Sequence, residues 1–435
     1  MEESRPRARE TALCILDASL MKIAFQTLGC KLNYAETSTY ERGFRAHGLE
    51  VVPATQVADI YLVNTCSVTQ HSESKCRHII SKCHRLAPEA AIVVTGCYAE
   101  LRREEVLALD GVRLVFGAKE KSRVVPGTLE ALVGTPALET PAGDILPAFS
   151  SGERTRSFLK VQDGCNNFCA YCTVPFARGH SRNIPICEAV RQAEAIAAQG
   201  MKEIVLTGVN TGDFGRTTGE GFLDLLRALD AVEGIARYRI SSIEPNLLTE
   251  EIIDWIASGT KFQPHFHIPL QVGDDALLKK VGRRYDTALF ASRIDYIRKV
   301  MGEHVFFGID VIVGLPGETP ESFEQTYRFL RDRIRPAYIH VFPYSRRPGT
   351  RAAVMPDQVQ ESVKTERVAR LGALCESLHA AFTEANRGRK ETVLWESTRH
   401  KGPEGCFMEG YTGNYLRVTA PWDPAKVGTL EEITL

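Results

Sequence analysis

Asp163-Gly-Cys-Asn-Asn-Phe-Cys-Ala-Tyr-Cys-Thr-Val-Pro175 places three cysteines, Cys165, Cys169 and Cys172, at C-x3-C-x2-C spacing. Thiolates so close together on one loop can each hold a corner of a single [4Fe-4S] cube, and three of them leave the fourth iron without a protein ligand. An open iron is able to bind a substrate or cofactor, whereas an electron carrier closes its cluster with a fourth cysteine. A zinc site would pair C-x2-C with a second, distant C-x2-C or a histidine pair, and none follows in the sequence.

Around this loop the chain has a β/α rhythm. Strand-like segments occupy 158–162, 203–209, 238–243, 265–270, 307–313 and 338–342, separated by helical stretches over 185–199, 221–232, 249–258, 287–300 and 320–333. Six such repeats predict an α/β architecture, an incomplete (βα)6 barrel, with an amphipathic connecting helix over 357–387 completing a domain at 156–387. Catalytic groups of βα barrels come from loops at the carboxyl ends of the strands, and the cysteine loop follows the first of these strands.

With an aromatic residue, Tyr171, just before the last cysteine, C-x3-C-x2-C resembles the signature of radical S-adenosylmethionine (SAM) enzymes. The resemblance implies that the open iron chelates SAM and that one electron splits it to a carbon radical. Successive strand ends then offer SAM contacts. Gly208, in Leu206-Thr-Gly-Val-Asn-Thr-Gly212, allows backbone groups to meet the methionine end, or else makes a simple tight turn. Glu244, in Ser241-Ser-Ile-Glu-Pro245, is a partner for ribose hydroxyls or the amino group, or else a surface carboxylate. Gln271, in His267-Ile-Pro-Leu-Gln-Val-Gly273, is placed near ribose, and Gly314, in Asp310-Val-Ile-Val-Gly-Leu-Pro-Gly-Glu-Thr319, lets backbone approach adenine. None is specific alone; their recurrence after a three-cysteine loop is the signal.

Upstream, residues 21–133 read as a small parallel α/β domain with strands at Ile23-Ala-Phe-Gln, Ile60-Tyr-Leu-Val, Ala91-Ile-Val-Val and Arg113-Leu-Val-Phe. A cysteine follows three of them: Cys30, Cys66 and Cys97. Open α/β sheets collect ligands at their strands' carboxyl ends, so these three converge on a second cluster site; each taken singly is a small buried hydrophobe. Cys76 and Cys83, seven apart, share a helix face and read as packing, with zinc beside His84 as the alternative. No role is assigned to Cys14, Cys187, Cys375 or Cys406. Residues 134–155, rich in Pro, Gly, Thr and Ser, mark a linker. Residues 388–435 contain four short β-like pieces, a small antiparallel barrel of a kind that binds RNA.

The 435 residues are 44% hydrophobic and 25% charged with a net charge of -1, an ordinary globular composition. No global basic field exists, so nucleic-acid contact must be local. Candidates are Arg178, His180 and Arg182 after the cysteine loop, Arg346, Arg347 and Arg351 near the last barrel strand, and Arg387, Arg389 and Lys390 at the domain junction. From Arg387 onward seven Lys/Arg face seven Asp/Glu; stacking on Phe407, Tyr411, Tyr415 or Trp422 then matters more than phosphate attraction. Twelve cysteines without a convincing signal peptide fit a reducing cytoplasm, and no stretch approaches the roughly 20 apolar residues of a membrane span.

The whole layout resembles the methylthiotransferase branch of radical-SAM enzymes, with an N-terminal three-cysteine domain, a barrel and a TRAM domain in that order. That resemblance implies two [4Fe-4S] clusters, one on Cys165, Cys169 and Cys172 that binds SAM and one on Cys30, Cys66 and Cys97 that handles sulfur. Thr27-Leu-Gly-Cys-Lys-Leu-Asn33 and Asn64-Thr-Cys-Ser-Val-Thr69 are most similar to the subfamily acting on N6-threonylcarbamoyladenosine at position 37 of tRNA. The partners implied are the tRNA anticodon loop, a reducing electron donor and a sulfur donor that the sequence does not specify. Alternatives are another modified adenosine or a ribosomal protein as substrate, or a non-catalytic Fe-S RNA-binding protein. Because the first strand begins at Met21, residues 1–20 read as a dispensable extension: protein started at Met21 is expected to fold and retain activity, and loss of either refutes that.

Overall fold

The computed structural model describes residues 21–135, 145–152, 154–402 and 405–435. The expected extension at 1–20, with Cys14, and part of the expected linker lie outside them. Uncharged runs of Val, Ile and Leu become buried parallel strands. β1 (Lys22–Thr27), β2 (Glu50–Val52), β3 (Ile60–Thr65), β4 (Ala91–Gly96) and β5 (Val112–Gly117) form one sheet in the order β2-β1-β3-β4-β5. Alternate residues of β3 face opposite cores. Tyr61 and Val63 pack with Cys76, Ile80 and Cys83 of the helix Gln70–Leu86, and Ile60 and Leu62 with Tyr40 and Phe44 of the helix Lys31–Ala46. β2, only three residues long, was too short to leave a pattern in the sequence. Its position matters, because the chain leaves β1 for β2 on one side and returns to β3 on the other. The loops after β1 and β3 therefore diverge and open a crevice at the strands' carboxyl ends.

The central domain follows with β6 (Ala148–Phe149), β7 (Arg156–Lys160), β8 (Gln162–Asp163), β9 (Arg182–Asn183), β10 (Glu203–Thr207), β11 (Arg237–Ile240), β12 (His265–Gln271), β13 (Phe306–Val313) and β14 (Tyr338–Pro343). The six barrel strands anticipated from the sequence are β7, β10, β11, β12, β13 and β14. They run parallel in two sheets, β11-β10-β7-β6 and β12-β13-β14, joined where Ile243 N–H donates to the His267 carbonyl at 3.1 Å. Thr249, Asp286 and Thr319 each accept a backbone N–H three residues on and so start the intervening helices. Two departures have local causes. Residues 148–149, inside the expected linker, pair antiparallel with β7, because an edge strand's free N–H and C=O groups take any extended partner. Asp275–Val281 is an extra helix between β12 and the helix Thr287–Met301, capped by Asp274.

The helix Glu361–Ala385 leads to β15 (Lys390–Gly402), β16 (Gly405–Tyr411), β17 (Arg417–Pro421) and β18 (Leu430–Thr434), antiparallel in the order β17-β16-β15-β18. The sheet is a half-barrel around Val393, Trp395 and Met408. It docks on the amino ends of the barrel strands. Arg239 Nη1 and Nη2 donate to the carbonyls of Gly413 and Thr412 at 2.7 and 2.8 Å, while its Nε is 2.8 Å from Glu203. Arg156 pairs with Glu396 at 2.9 Å.

A buried ion network joins the first domain to the barrel. Glu36, on the helix Lys31–Ala46, contacts Lys121, Lys160 at 2.8 Å and Arg178 at 3.4 Å, and Asp163 takes Lys160 and Arg178, each at 2.8 Å. Burial alone would raise the Glu36 carboxyl; Lys121, Lys160 and Arg178 outweigh it and hold it down at about 2. The same cations keep Asp163 well below the carboxylate range. Arg178, expected to touch RNA, is only 2% exposed, and Arg347 is likewise buried against Glu73 and Ser67. Both cations are taken from solvent by carboxylates distant in sequence.

Replacing Glu36 with Gln strands three buried cations and is expected to cost about 3–5 kcal/mol in urea unfolding. Because the folded carboxyl lies below its usual 4.5, its stabilisation is present above that pH and is lost as the pH falls through about 2. An acid limb unchanged in Glu36→Gln would refute this.

Candidate active site

The cysteine loop leaves β8 and returns through the helix Val174–Arg178. Each sulfur faces a hydrogen-bond donor. Asn167 N–H lies 3.5 Å from Cys165 Sγ, Val174 N–H 3.4 Å from Cys172 Sγ, and Arg283 Nη1 3.3 Å from Cys169 Sγ. Donors of this kind tune Fe-S clusters. Burial pushes the Cys165 thiol up to about 11 and Cys172 up to about 12, so positive charge from bound iron is what would ionise them. Three adjacent soft ligands surrounded by N–H donors fit a [4Fe-4S] cluster.

In the first domain, Cys30 caps the helix Lys31–Ala46, Cys66 follows β3, and Cys97 begins the helix Cys97–Leu101 directly after β4. They stand at the crevice where the strand order reverses. Gly29, at φ +102°, lets its loop lie against Cys66: a Cβ there would come 2.9 Å from the Cys66 sulfur. Asn33 pins the loops, donating to the carbonyls of Leu28 at 2.7 Å and Thr65 at 3.0 Å. Burial pushes the Cys66 thiol up to about 12 and also raises Cys97, which Arg178 and Lys121 partly offset.

The two cysteine sets are neighbours across the domain boundary. Thr173, next to Cys172, donates from Oγ1 to the carbonyl of Ser67, next to Cys66, at 3.4 Å. Arg178 Nη2 donates to Asn33 Oδ1 at 2.6 Å and stands 4.0 Å from Cys30 Sγ. The helix starting at Cys97 packs on the helix Val174–Arg178.

At the barrel's carboxyl end the strand-end residues have distinct settings. Gly208 lies under Gln162, whose Oε1 accepts the N–H groups of Val209 and Asn210 at 2.8 and 3.0 Å. Glu244 is 6% exposed, which rules out a surface carboxylate. It accepts from Asn167 at 2.8 Å and pairs with Arg283 at 2.7 Å. Arg283 Nε reaches the Tyr285 hydroxyl at 3.0 Å, and that hydroxyl donates to the backbone just before Gln271. One polar chain thus runs from the cysteine loop to the end of β12. Gln271 has φ +72° at a β-bulge, a left-handed backbone that costs a non-glycine residue energy. Gly314 stands apart: its N–H goes to Glu318, and a Cβ on it would meet the Lys364 side chain.

Sequence reasoning missed Arg283 and Asn167, whose partners are distant in the chain, and also the group His267, Asp310 and His340, whose ligand atoms lie within 4.8 Å of one another inside the barrel. Period-two spacing on neighbouring strands was the available signal. Of the stacking candidates, Trp422 packs against the half-barrel core, Phe407 stacks on His400, and Tyr411 and Tyr415 sit under Arg156 at 4.8 and 5.5 Å. Among the described residues no helix is long and apolar enough to cross a membrane.

Two family models match the chain, an uncharacterized protein family, UPF0004, over residues 22–117 and the Radical SAM superfamily over 159–330. The threonylcarbamoyladenosine tRNA methylthiotransferase MtaB of Bacillus subtilis is 37% identical over 425 residues, covering 95% of this chain and 93% of its own. The tRNA-2-methylthio-N(6)-dimethylallyladenosine synthase of Nitratidesulfovibrio vulgaris is 32% identical, covering 91% of each. Among solved structures, the radical SAM methyltransferase TsrM of Kitasatospora setae shares the fold at a TM-score of 0.56, with 15% identity over 77% of each chain.

Gln271→Gly relieves the left-handed strain and is expected to raise stability by about 1 kcal/mol while lowering SAM cleavage. A variant more stable and fully active would remove Gln271 from the site.

Proposed function

The chain belongs to the radical-SAM tRNA methylthiotransferase family, and from that premise we propose that it inserts a methylthio group at C2 of N6-threonylcarbamoyladenosine at position 37, in the anticodon loop of tRNA. The observation that carries this reading is the adjacency of two cysteine triads, tied by the Thr173–Ser67 hydrogen bond across the domain boundary. A simple SAM-cleaving enzyme needs only Cys165, Cys169 and Cys172. A second triad on Cys30, Cys66 and Cys97, held by Asn33 and flanked by Arg178, supports a reaction in which sulfur must be kept beside the SAM site.

When bound, two [4Fe-4S] clusters and SAM supply the electron, the carbon radical able to take an unactivated C2 hydrogen, and the sulfur that replaces it. The chain's own residues fix geometry and charge. Asn167 and Arg283 hold Glu244 beside the cysteine loop, where its carboxylate is placed to accept from SAM hydroxyl or amino groups. Arg178 is paired with Asp163 and Glu36 on one side and stands 4.0 Å from Cys30 Sγ on the other, which fixes that cysteine's loop against the barrel. A reducing electron donor and a sulfur donor complete the reaction.

Anaerobically reconstituted protein is expected to hold about eight irons, falling to about four when Cys165, Cys169 and Cys172 are replaced by alanine. Cys169→Ala should abolish SAM cleavage, while Cys66→Ala should spare cleavage and stop methylthiolation of tRNA carrying the threonylcarbamoyl group. About four irons in the parent, or equal loss of both activities in both variants, would overturn the two-triad division of labour.

A further inference from the structure

The amino-terminal half of the barrel lines a half-open cavity of about 780 Å³ that the cysteine chemistry leaves unused. Three parts of the chain wall it. Lys31 and Tyr34 come from the first domain, Arg156, His267 and His340 are among the barrel residues, and Tyr415 comes from the half-barrel. Its volume is that of a small-ligand site, and its walls are aromatic and cationic.

The charges do not balance. Among the described residues no carboxylate lines the cavity. Arg239 is satisfied by Glu203, Arg156 by Glu396 and Arg417 by Glu409. Asp310, which acts electrostatically on Lys31, is engaged by His267 at 2.7 Å. Two cavity-lining cations remain, Lys31 and Arg154, neither with a carboxylate within 4.0 Å among the described residues. Arg154 lies over the rings of Tyr34 and Phe158, at 4.6 and 5.5 Å, and so is braced without being neutralised. Lys31 follows Cys30 directly and extends from the first domain into the barrel, within electrostatic reach of Asp310, His340 and Tyr415. Both side chains keep exposed surface and are served by water in the free protein, so an anion entering this half-open cavity meets two cations for which no protein carboxylate competes.

We propose that this cavity receives the N6 substituent of the target adenosine and that Lys31 and Arg154 read its free carboxylate. This rests on the function proposed above. A threonylcarbamoyl group ends in a carboxylate and a hydroxyl, whereas a dimethylallyl group has neither. A chamber with two cations free of carboxylate partners favours the first over the second, because an apolar substituent would displace water from them and give neither a partner. Placing the reader one residue from Cys30 also sets the distance between the carboxylate and the sulfur-bearing site, so the same contact that selects the nucleoside aligns it.

The test measures binding of the free nucleoside N6-threonylcarbamoyladenosine, and of the same nucleoside with its carboxylate capped as a carboxamide, to reconstituted holoenzyme saturated with SAM. The nucleoside carries no phosphate and SAM is constant, so neither contributes to the difference. The parent is expected to prefer the acid by about tenfold or more. Lys31→Met and Arg154→Gln should each shrink that preference, and Lys31→Arg should keep it. Iron content is followed in parallel; should Lys31→Met lose iron, Arg154→Gln decides, since it lies in no cysteine loop. Equal binding of acid and amide by the parent, or a preference that survives in Lys31→Met/Arg154→Gln, would overturn the proposal. Failure of the parent to methylthiolate tRNA would instead remove the proposed function, and the acid–amide difference would still report on the cavity.

Discussion

Glu36 and Asp163 share Lys121, Lys160, Arg178 and Arg182 in a space from which water is almost excluded. A desolvated cluster of this kind is stable only when every member keeps its partners, since removing one leaves a charge in a medium that cannot solvate it. The members come from a first-domain helix, the segment after β5, the end of β7, β8 and the segment after the cysteine loop. Their requirement for simultaneous pairing fixes the first domain against the barrel far more tightly than apolar contact would, because ion geometry tolerates little sliding. Arg178 transmits that constraint to the chemistry, as its second face binds Asn33 and stands beside Cys30.

The barrel is thereby used at both ends. At the carboxyl ends of the strands, the polar chain from Asn167 through Glu244 and Arg283 to Tyr285 joins three segments, the cysteine loop among them. At the amino ends the wall turns cationic and aromatic, and the half-barrel closes over it with Tyr411 and Tyr415. The first domain sits beside the gap between the two sheets and reaches both regions, with Cys30 toward one and Lys31 toward the other. Side chains of consecutive residues at a helix start diverge, so one short loop serves two chemistries.

Much of this was legible in the sequence because it is local. Cysteine spacing needs only a loop, and the six barrel strands and five of their helices follow from periodicity, with boundaries within three residues of those observed for the strands. Cys30, Cys66 and Cys97 could be grouped because strand-end position is a topological property, readable once the strands are found. What failed is non-local. Arg178 and Arg347 read as surface cations since most arginines are exposed, and their partners Glu36 and Glu73 lie 142 and 274 positions away. Lys31 was in view from the start, quoted between Cys30 and Leu32, but its lack of a partner is a fact about three domains at once. β2 and β6, with three and two residues, exist because neighbouring edges recruit them.

Arg239 has a consequence for how the molecule is made. Its guanidinium is 1% exposed, and its last partners, the carbonyls of Thr412 and Gly413, lie 173 and 174 positions downstream. At 5–20 residues per second, synthesis reaches them roughly 10–35 s after Arg239 itself. Throughout that interval the barrel's amino end is an open, charged mouth on a nascent chain. The floor of the cavity is therefore laid well after its walls, and the buried Glu203–Arg239 pair waits for the half-barrel before its hydrogen bonds are complete.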